Sequence, residues 1–316
     1  MTANLQNPAF TNEETAREAL EAMRWPNGPV CPHCGSVDGI AKAQGKAARP
    51  GLYYCSACND QFTATVGTIM ERSHVPLTKW WLAMHLMGSS KKGMSAHQMH
   101  RMLGVTYKTA WFMCHRIREA MRTGGLEPLG GEGKVVETDE TYYGEIPEAK
   151  QRKFKKSGRP YTKGPYKNIG NKRAIIALVE RGGDVRSFHV PAAHLGEVVG
   201  IVRKNVRRES RLQTDESRLY WKVGEEFAAH ETVNHTAKEY ARGDVTTNTV
   251  EGYFSVFKRG MKGVYQHCSE KHLHRYLAEF DFRYNNRAAL KVDDAERVAK
   301  IAKGIVGKRL AYRLPH

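Results

Sequence analysis

Lys134-Val135-Val136-Glu137-Thr138-Asp139-Glu140-Thr141-Tyr142-Tyr143 reads as a β-strand with an aspartate, Asp139, in its middle. Downstream, Ala174 to Val179 is a second strand, apolar throughout. Val185 to Val190 is a third, set off by the turn Arg181-Gly182-Gly183-Asp184. Gly196 to Val206 follows as a helix, Leu212-Gln213-Thr214-Asp215 as a short fourth strand, and helices run from Thr249 to the C-terminus. Three meandering strands, a helix, another strand and then helices predict a layered α/β domain. Upstream, the glycine-rich stretch from Arg122 to Gly133 reads as a linker and domain boundary. Between the first two strands, Glu148 to Arg173 is almost devoid of apolar residues and predicts a surface loop. Its Lys153, Lys155, Lys156, Arg159, Lys163 and Lys167 suit either a phosphate backbone or a solvated run of charge.

The chain has 316 residues, enough for two or three domains, and carries 50 Lys and Arg against 33 Asp and Glu, a formal charge of +17. Clustered positive charge is an argument about partners rather than fold, and nucleic acid is the leading one, because neutralising phosphates releases counterions. No stretch approaches the ~20 apolar residues that cross a bilayer. The N-terminal segment contains Glu13, Glu14, Glu18 and Glu21 without an apolar core, so it does not read as a secretory signal. A cytoplasmic location follows as the expectation, and with it reduced thiols.

Four cysteines fall into close pairs, Cys31-Pro32-His33-Cys34 and Cys55-Ser56-Ala57-Cys58, with twenty residues between the pairs. Each C-x2-C turn aims two thiolates at one point, and four thiolates complete a closed structural Zn2+ site. Gln61 to Val66 alternates apolar and polar, as a half-buried strand does. His33 is a weaker alternative ligand, and the isolated Cys114 and Cys268 read as buried thiols.

From Pro76 to Arg122 the spacing becomes helical. Thr78 is placed to cap a helix ending near Gly88, Ser95 a second, and Gly104-Val105-Thr106 forms the turn into a third that opens at Tyr107. Helices joined at a glycine-containing turn form a helix-turn-helix, whose second helix enters the major groove. Lys108, Thr109, Phe112, His115, Arg116 and Glu119 are expected on its outer face.

Asp139, Asp215 and Glu251 lie on separate elements, so only folding can bring them together. A few carboxylates on a basic protein suit Mg2+ with DNA phosphate. Lys258 stands two helical turns after Glu251 on the same face, and Arg259 adjoins it. Asn248, one turn before Glu251, shares that face and can orient the third ligand or replace it.

Thr138-Asp139-Glu140-Thr141, Thr214-Asp215-Glu216-Ser217 and the block from Asn248 through Glu251 to Lys258 resemble the catalytic blocks of DDE transposases. More narrowly, they are similar to bacterial insertion-sequence transposases with an N-terminal zinc ribbon, the ISXO-type group related to Merlin elements. The endings Gly263 to His267, His272 to Tyr276 and Glu279 to Asn285 match too. The resemblance implies an α/β, RNase H-like catalytic domain preceded by a zinc ribbon and a helix-turn-helix. It implies two Mg2+ or Mn2+ ions on Asp139, Asp215 and Glu251, with Lys258 as the accompanying basic residue. It also implies hydrolysis at transposon ends, joining of the 3′-hydroxyl to target DNA, a homodimer or larger assembly on DNA, and a place at the bacterial nucleoid. The expected organisation is an N-terminal helical segment over 1–27, the ribbon over 28–72 and the helix-turn-helix over 73–123. The catalytic domain then spans 134–290 and a basic C-terminal helix 291–316. The rivals are a non-catalytic DNA-binding regulator and a metal-dependent nuclease without strand transfer.

Overall fold

The computed structural model describes residues 5–45, 48–124, 126–145 and 172–310. The basic loop expected from Glu148 lies, up to residue 171, outside the described residues, and its six named cations with it. The chain divides into two compact units, one of residues 1–123 and 286–316 and one of residues 124–285.

The first unit begins with α1 (Glu13–Arg24), whose N-cap Asn12 accepts from the backbone N–H groups of Glu14 and Thr15. It packs on a small antiparallel sheet of β1 (Ile40–Lys42), β2 (Tyr53–Cys55) and β3 (Asp60–Phe62). The third strand ends at Phe62, short of the expected Val66, because the chain turns at Thr63, where the Val66 N–H bonds the Thr63 carbonyl. Trp25 sets its edge against the stacked rings of Tyr53 and Phe62. The Glu21 carboxylate accepts from the Tyr53 hydroxyl at 2.9 Å and from Lys42 at 3.2 Å. A ribbon this small has little apolar core of its own, so α1 supplies one of its walls.

Next come α2 (Leu77–Ser89), α3 (Ala96–Leu103) and α4 (Tyr107–Met121). Thr78 is not the cap of α2. The cap position is Pro76, and the Glu13 carboxylate from α1 accepts from the N–H groups of Leu77 and Thr78 instead. The turn into α4 matches expectation: Gly104 is left-handed at φ 59°, and the hydroxyl of Thr106 accepts from the Thr109 N–H.

In the second unit, a five-stranded sheet runs in the order β6-β5-β4-β7-β8. Its strands are β4 (Val135–Glu145), β5 (Lys172–Glu180), β6 (Val185–Val190), β7 (Arg211–Asp215) and β8 (Ala229–Val233). The first three form an antiparallel meander, while β7 lies parallel to β4 and β8 parallel to β7. The apolar run of β5 has a plain cause, since both faces of the sheet are covered. Ile176 and Leu178 face one layer with Val198 and Val202 of α5 (Leu195–Asn205) and Val223 of the short α6 (Trp221–Gly224). Ile175, Ala177 and Val179 face the other, with Val250, Phe254 and Phe257 of α7 (Asn248–Gly260) and Leu277 and Phe280 of α8 (Leu273–Asn285). A two-stranded ribbon of β9 (Ala241–Arg242) and β10 (Val245–Thr246) precedes α7.

The glycine-rich stretch expected to be a linker is partly built into this unit. Leu129 is buried in the core and bridges Val206 in parallel, and the Gly130 N–H donates to Glu180. The φ of 82° at Gly130, with Ser210 pressed against it, suits glycine alone.

The chain re-enters the first unit after Asn285, where α9 (Asp294–Lys303) packs on α2 and α4. This covering corrects one reading of α4. His115 and Arg116, expected on the outer face, are 1% and 8% exposed. The Arg116 guanidinium donates to the carbonyls of Ile69, Glu71 and Leu310. Burial of most of the second half of α4 comes from chain far away in sequence, which local periodicity does not register.

Candidate metal centre and acidic site

The ribbon's two C-x2-C turns share one backbone geometry. The residue after each pair is left-handed, Gly35 at φ 79° and Asn59 at φ 57°, and these are residue types that tolerate it. The Gly35 N–H returns to the Cys31 carbonyl at 2.9 Å. Together the turns place the sulfurs of Cys31, Cys34, Cys55 and Cys58 within 4.8 Å of one another, the one close cluster of metal-ligating side chains among the described residues. Cys31 and Cys58 are 3.7 Å apart, as are Cys34 and Cys55. A tetrahedron with metal–sulfur bonds of ~2.3 Å has an edge of about 3.8 Å, so the cluster fits zinc. Burial and the three neighbouring thiols push the Cys58 thiol up to about 12. Against its own burial, the N–H groups of Cys34 and His33 help draw Cys31 down to about 6. Such crowding opposes four thiolates together unless a cation compensates them. His33 points instead toward Asp60, at 4.0 Å.

The acidic site is built on β4, β7 and α7. The last paired residues of the parallel strands β4 and β7 are Glu137 and Gln213; two residues beyond each stand Asp139 and Asp215. Asp139 pairs Ala177 across β5, and Glu137 pairs Val179, so both acids lie on the face covered by α7. Glu251, in the first turn of α7, joins them closely enough for its charge to act on Asp139. Burial first, then the charges of Glu140, Asp215 and Glu251, push the Asp139 carboxyl up to about 8. Burial raises Asp215 as well, opposed by the N–H of Ser217. The Glu140 side chain is also raised, by burial above all, and accepts the Tyr220 hydroxyl at 2.7 Å.

Sequence reading missed Glu137, the residue that holds this arrangement together. Its side chain is fully buried and accepts from the N–H groups of Thr249 and Val250 at 2.8 and 3.0 Å, capping α7 from the sheet. It also accepts from the Thr249 hydroxyl and from Arg181, both at 2.7 Å. Glu137 is two residues from Asp139, and Thr249 two from Glu251, so a single carboxylate fixes the strand acid against the helix acid. Glu137→Ala leaves two helix N–H groups without their acceptor and takes from Arg181 its carboxylate partner, though not its bonds to Gln213, Asp244 and Thr246. The expected cost is about 3–5 kcal/mol, read as a lower urea midpoint.

Of the other expected residues, Asn248 is the exposed first residue of α7, and its N–H bonds the Thr246 hydroxyl at 3.1 Å. Lys258 and Arg259 are exposed in the last turn of the same helix, the guanidinium of Arg259 bonding the Ser255 carbonyl. In the first unit, Lys108 is exposed and Thr109 half-buried at the start of α4. Among the described residues, no helix is long and apolar enough to cross a membrane.

A mixed sheet of this order, with acids on neighbouring parallel strands and on a helix over the same face, joined in one chain to a four-cysteine ribbon, defines the class of zinc-ribbon transposases with an RNase H-like domain. The comparisons are specific. The ISXO2-like transposase domain matches residues 128–285, half of the chain, and the transposase zinc-ribbon domain matches residues 11–61; the chain belongs to the ISXO2-like transposase family. It is similar to an uncharacterized protein in transposable element ISH50 of Halobacterium salinarum. That relative is 28% identical over 277 residues, covering 87% of this chain and 91% of its own.

Proposed function

We propose that this protein cuts double-stranded DNA at transposon ends and joins the freed 3′-hydroxyl to a target. The observation that carries the reading is the convergence of Asp139, Asp215 and Glu251 on one sheet face, with Asp139 pushed up to about 8. Burial first, and then the charges of its neighbours, favour the protonated form of Asp139, as in a set of donors short of cations. Asp139, Asp215 and Glu251 hold two divalent ions, Mg2+ or Mn2+, while Asn248 stays outside the ligand set, since a carboxylate binds a hard cation better than an amide. When bound, such ions stabilise the attacking and leaving oxygens of an in-line displacement.

In the first reaction water attacks phosphorus at the transposon end, the P–O3′ bond breaks, and a 3′-hydroxyl is released. In the second that hydroxyl attacks a target phosphodiester, displacing the target's own 3′-oxygen, which takes up a proton. The exposed Lys258 and Arg259 neutralise DNA phosphate beside the acids, and Lys108 and Thr109 contact DNA from α4. Two ends must be held at once, so the working form is a homodimer or larger.

The test is incubation of the full chain with end-sequence duplex, target plasmid and Mg2+. Covalent joining of the 3′ end is expected, and its loss in Asp139→Ala and Asp215→Ala. Cleavage without joining marks a nuclease, and DNA binding without cleavage by the folded protein marks a regulator.

A further inference from the structure

Beside the acidic site stands a histidine that sequence reading did not single out. β8 ends at Val233, the partner of Asp215, and the next residue, Asn234, caps a single 3-10 turn, His235–Ala237. Glu216, adjacent to Asp215, anchors that turn. Its carboxylate accepts from the His235 N–H at 2.9 Å, the Thr236 N–H at 3.1 Å and the Thr236 hydroxyl at 2.6 Å. Five backbone and side-chain atoms are thus arranged around one exposed loop, and what they orient is the His235 ring. Its Nε2 lies 3.6 Å from Glu251 Oε1 and 3.4 Å from the Thr247 hydroxyl, which itself donates to Glu251 Oε1 at 3.0 Å. The Tyr240 ring backs the imidazole at 5.6 Å.

Glu251 needs such support. Its side chain is 44% exposed, whereas Asp139 is half-buried on the sheet. A long exposed carboxylate loses rotamer freedom when it binds an ion, and neighbours that restrict it beforehand reduce that loss.

We propose that His235 is a positioning residue for metal binding, holding the Glu251 carboxylate toward Asp139 and Asp215, with Glu216 fixing the loop that delivers it. This rests on the reading of Glu251 as a ligand. His235 acts on affinity for the ion rather than on the chemical step, and it joins β8, through Glu216, to the same centre as β4, β7 and α7.

The test is Mn2+ binding by the zinc-loaded full chain, followed by electron paramagnetic resonance of the free ion, without DNA. His235→Ala is expected to weaken Mn2+ binding about 10-fold, within the 10–100-fold range for groups that orient ligands. His235→Gln, which keeps a donor, is expected to restore most of it. Thermal unfolding of each variant without Mn2+ reports any loss of fold separately. Unchanged Mn2+ affinity in His235→Ala, alongside lost binding in Asp139→Asn and Glu251→Gln, overturns this role alone. Unchanged affinity in all three variants overturns the metal centre, and the role of His235 with it.

Discussion

Asp139→Asn is expected to abolish cleavage of DNA ends while making the metal-free protein more stable. Both effects have one cause. Asp139 is half-buried beside Glu140, Asp215 and Glu251, and desolvation first, then their charges, push its carboxyl from 3.8 up to about 8. Between those values the native state holds a proton that the unfolded chain has released, so this group's contribution to stability falls as pH rises from about 4 to about 8. Asparagine keeps the shape and removes the charge. At pH 8 the gain is on the order of 2 kcal/mol, raising the melting temperature of the second unit by about 4–8 °C without divalent ions. The advantage shrinks toward pH 5, where the aspartic acid is protonated anyway. Losing a ligand of the ions that would stabilise both reacting oxygens removes several kcal/mol of transition-state stabilisation, at least a ~1,000-fold fall in cleavage rate. A variant that melts lower than the parent at pH 8, or keeps its activity, contradicts this electrostatic description of the site.

The second large effect concerns zinc. Removing the ion with a chelator, or replacing Cys34 by serine, is expected to unfold the ribbon, because such sites supply about 10–16 kcal/mol of folding free energy. The consequence extends to α1, whose Trp25 and Glu21 pack on Tyr53 and Phe62 and lose that surface. Amide exchange should accelerate across Cys31 to Phe62 and α1, while the amides of β5 keep their protection. Specific binding of DNA ends should fall at least ~100-fold, on the ground that a helix-based reader depends on the rigidity of its supports. Undiminished end binding by the zinc-free chain assigns recognition elsewhere.

Short-range features of this molecule were legible in its sequence. The C-x2-C turns, the Ser95 cap and the Gly104 turn each involve residues a few positions apart, and all three occur where expected. Ala174 to Val179 read as a strand that is apolar throughout, and the two core layers covering β5 give the reason for that composition. Long-range features were not legible. Glu137 reads as one polar residue in a strand, yet its partners Thr249 and Val250 are more than a hundred residues away. His235 acquires meaning only when β8 pairs with β7 and brings it to Glu251. Arg116 looked exposed because nothing within α4 indicates that Ile69, Glu71 and Leu310 enclose its guanidinium. The acids themselves were readable as a set only through family resemblance, since spacing along the chain does not encode the parallel register of β4 and β7.

Asp139, Asp215 and Glu251 are proposed to form a single centre for divalent ions. Anomalous scattering from Mn2+ in crystals of the zinc-loaded protein bound to a DNA end tests it most directly. Two manganese peaks about 4 Å apart are expected, with Asp139, Asp215 and Glu251 as the residues that hold them. Manganese bound away from these three residues, in a complex that cleaves DNA on warming, would contradict it.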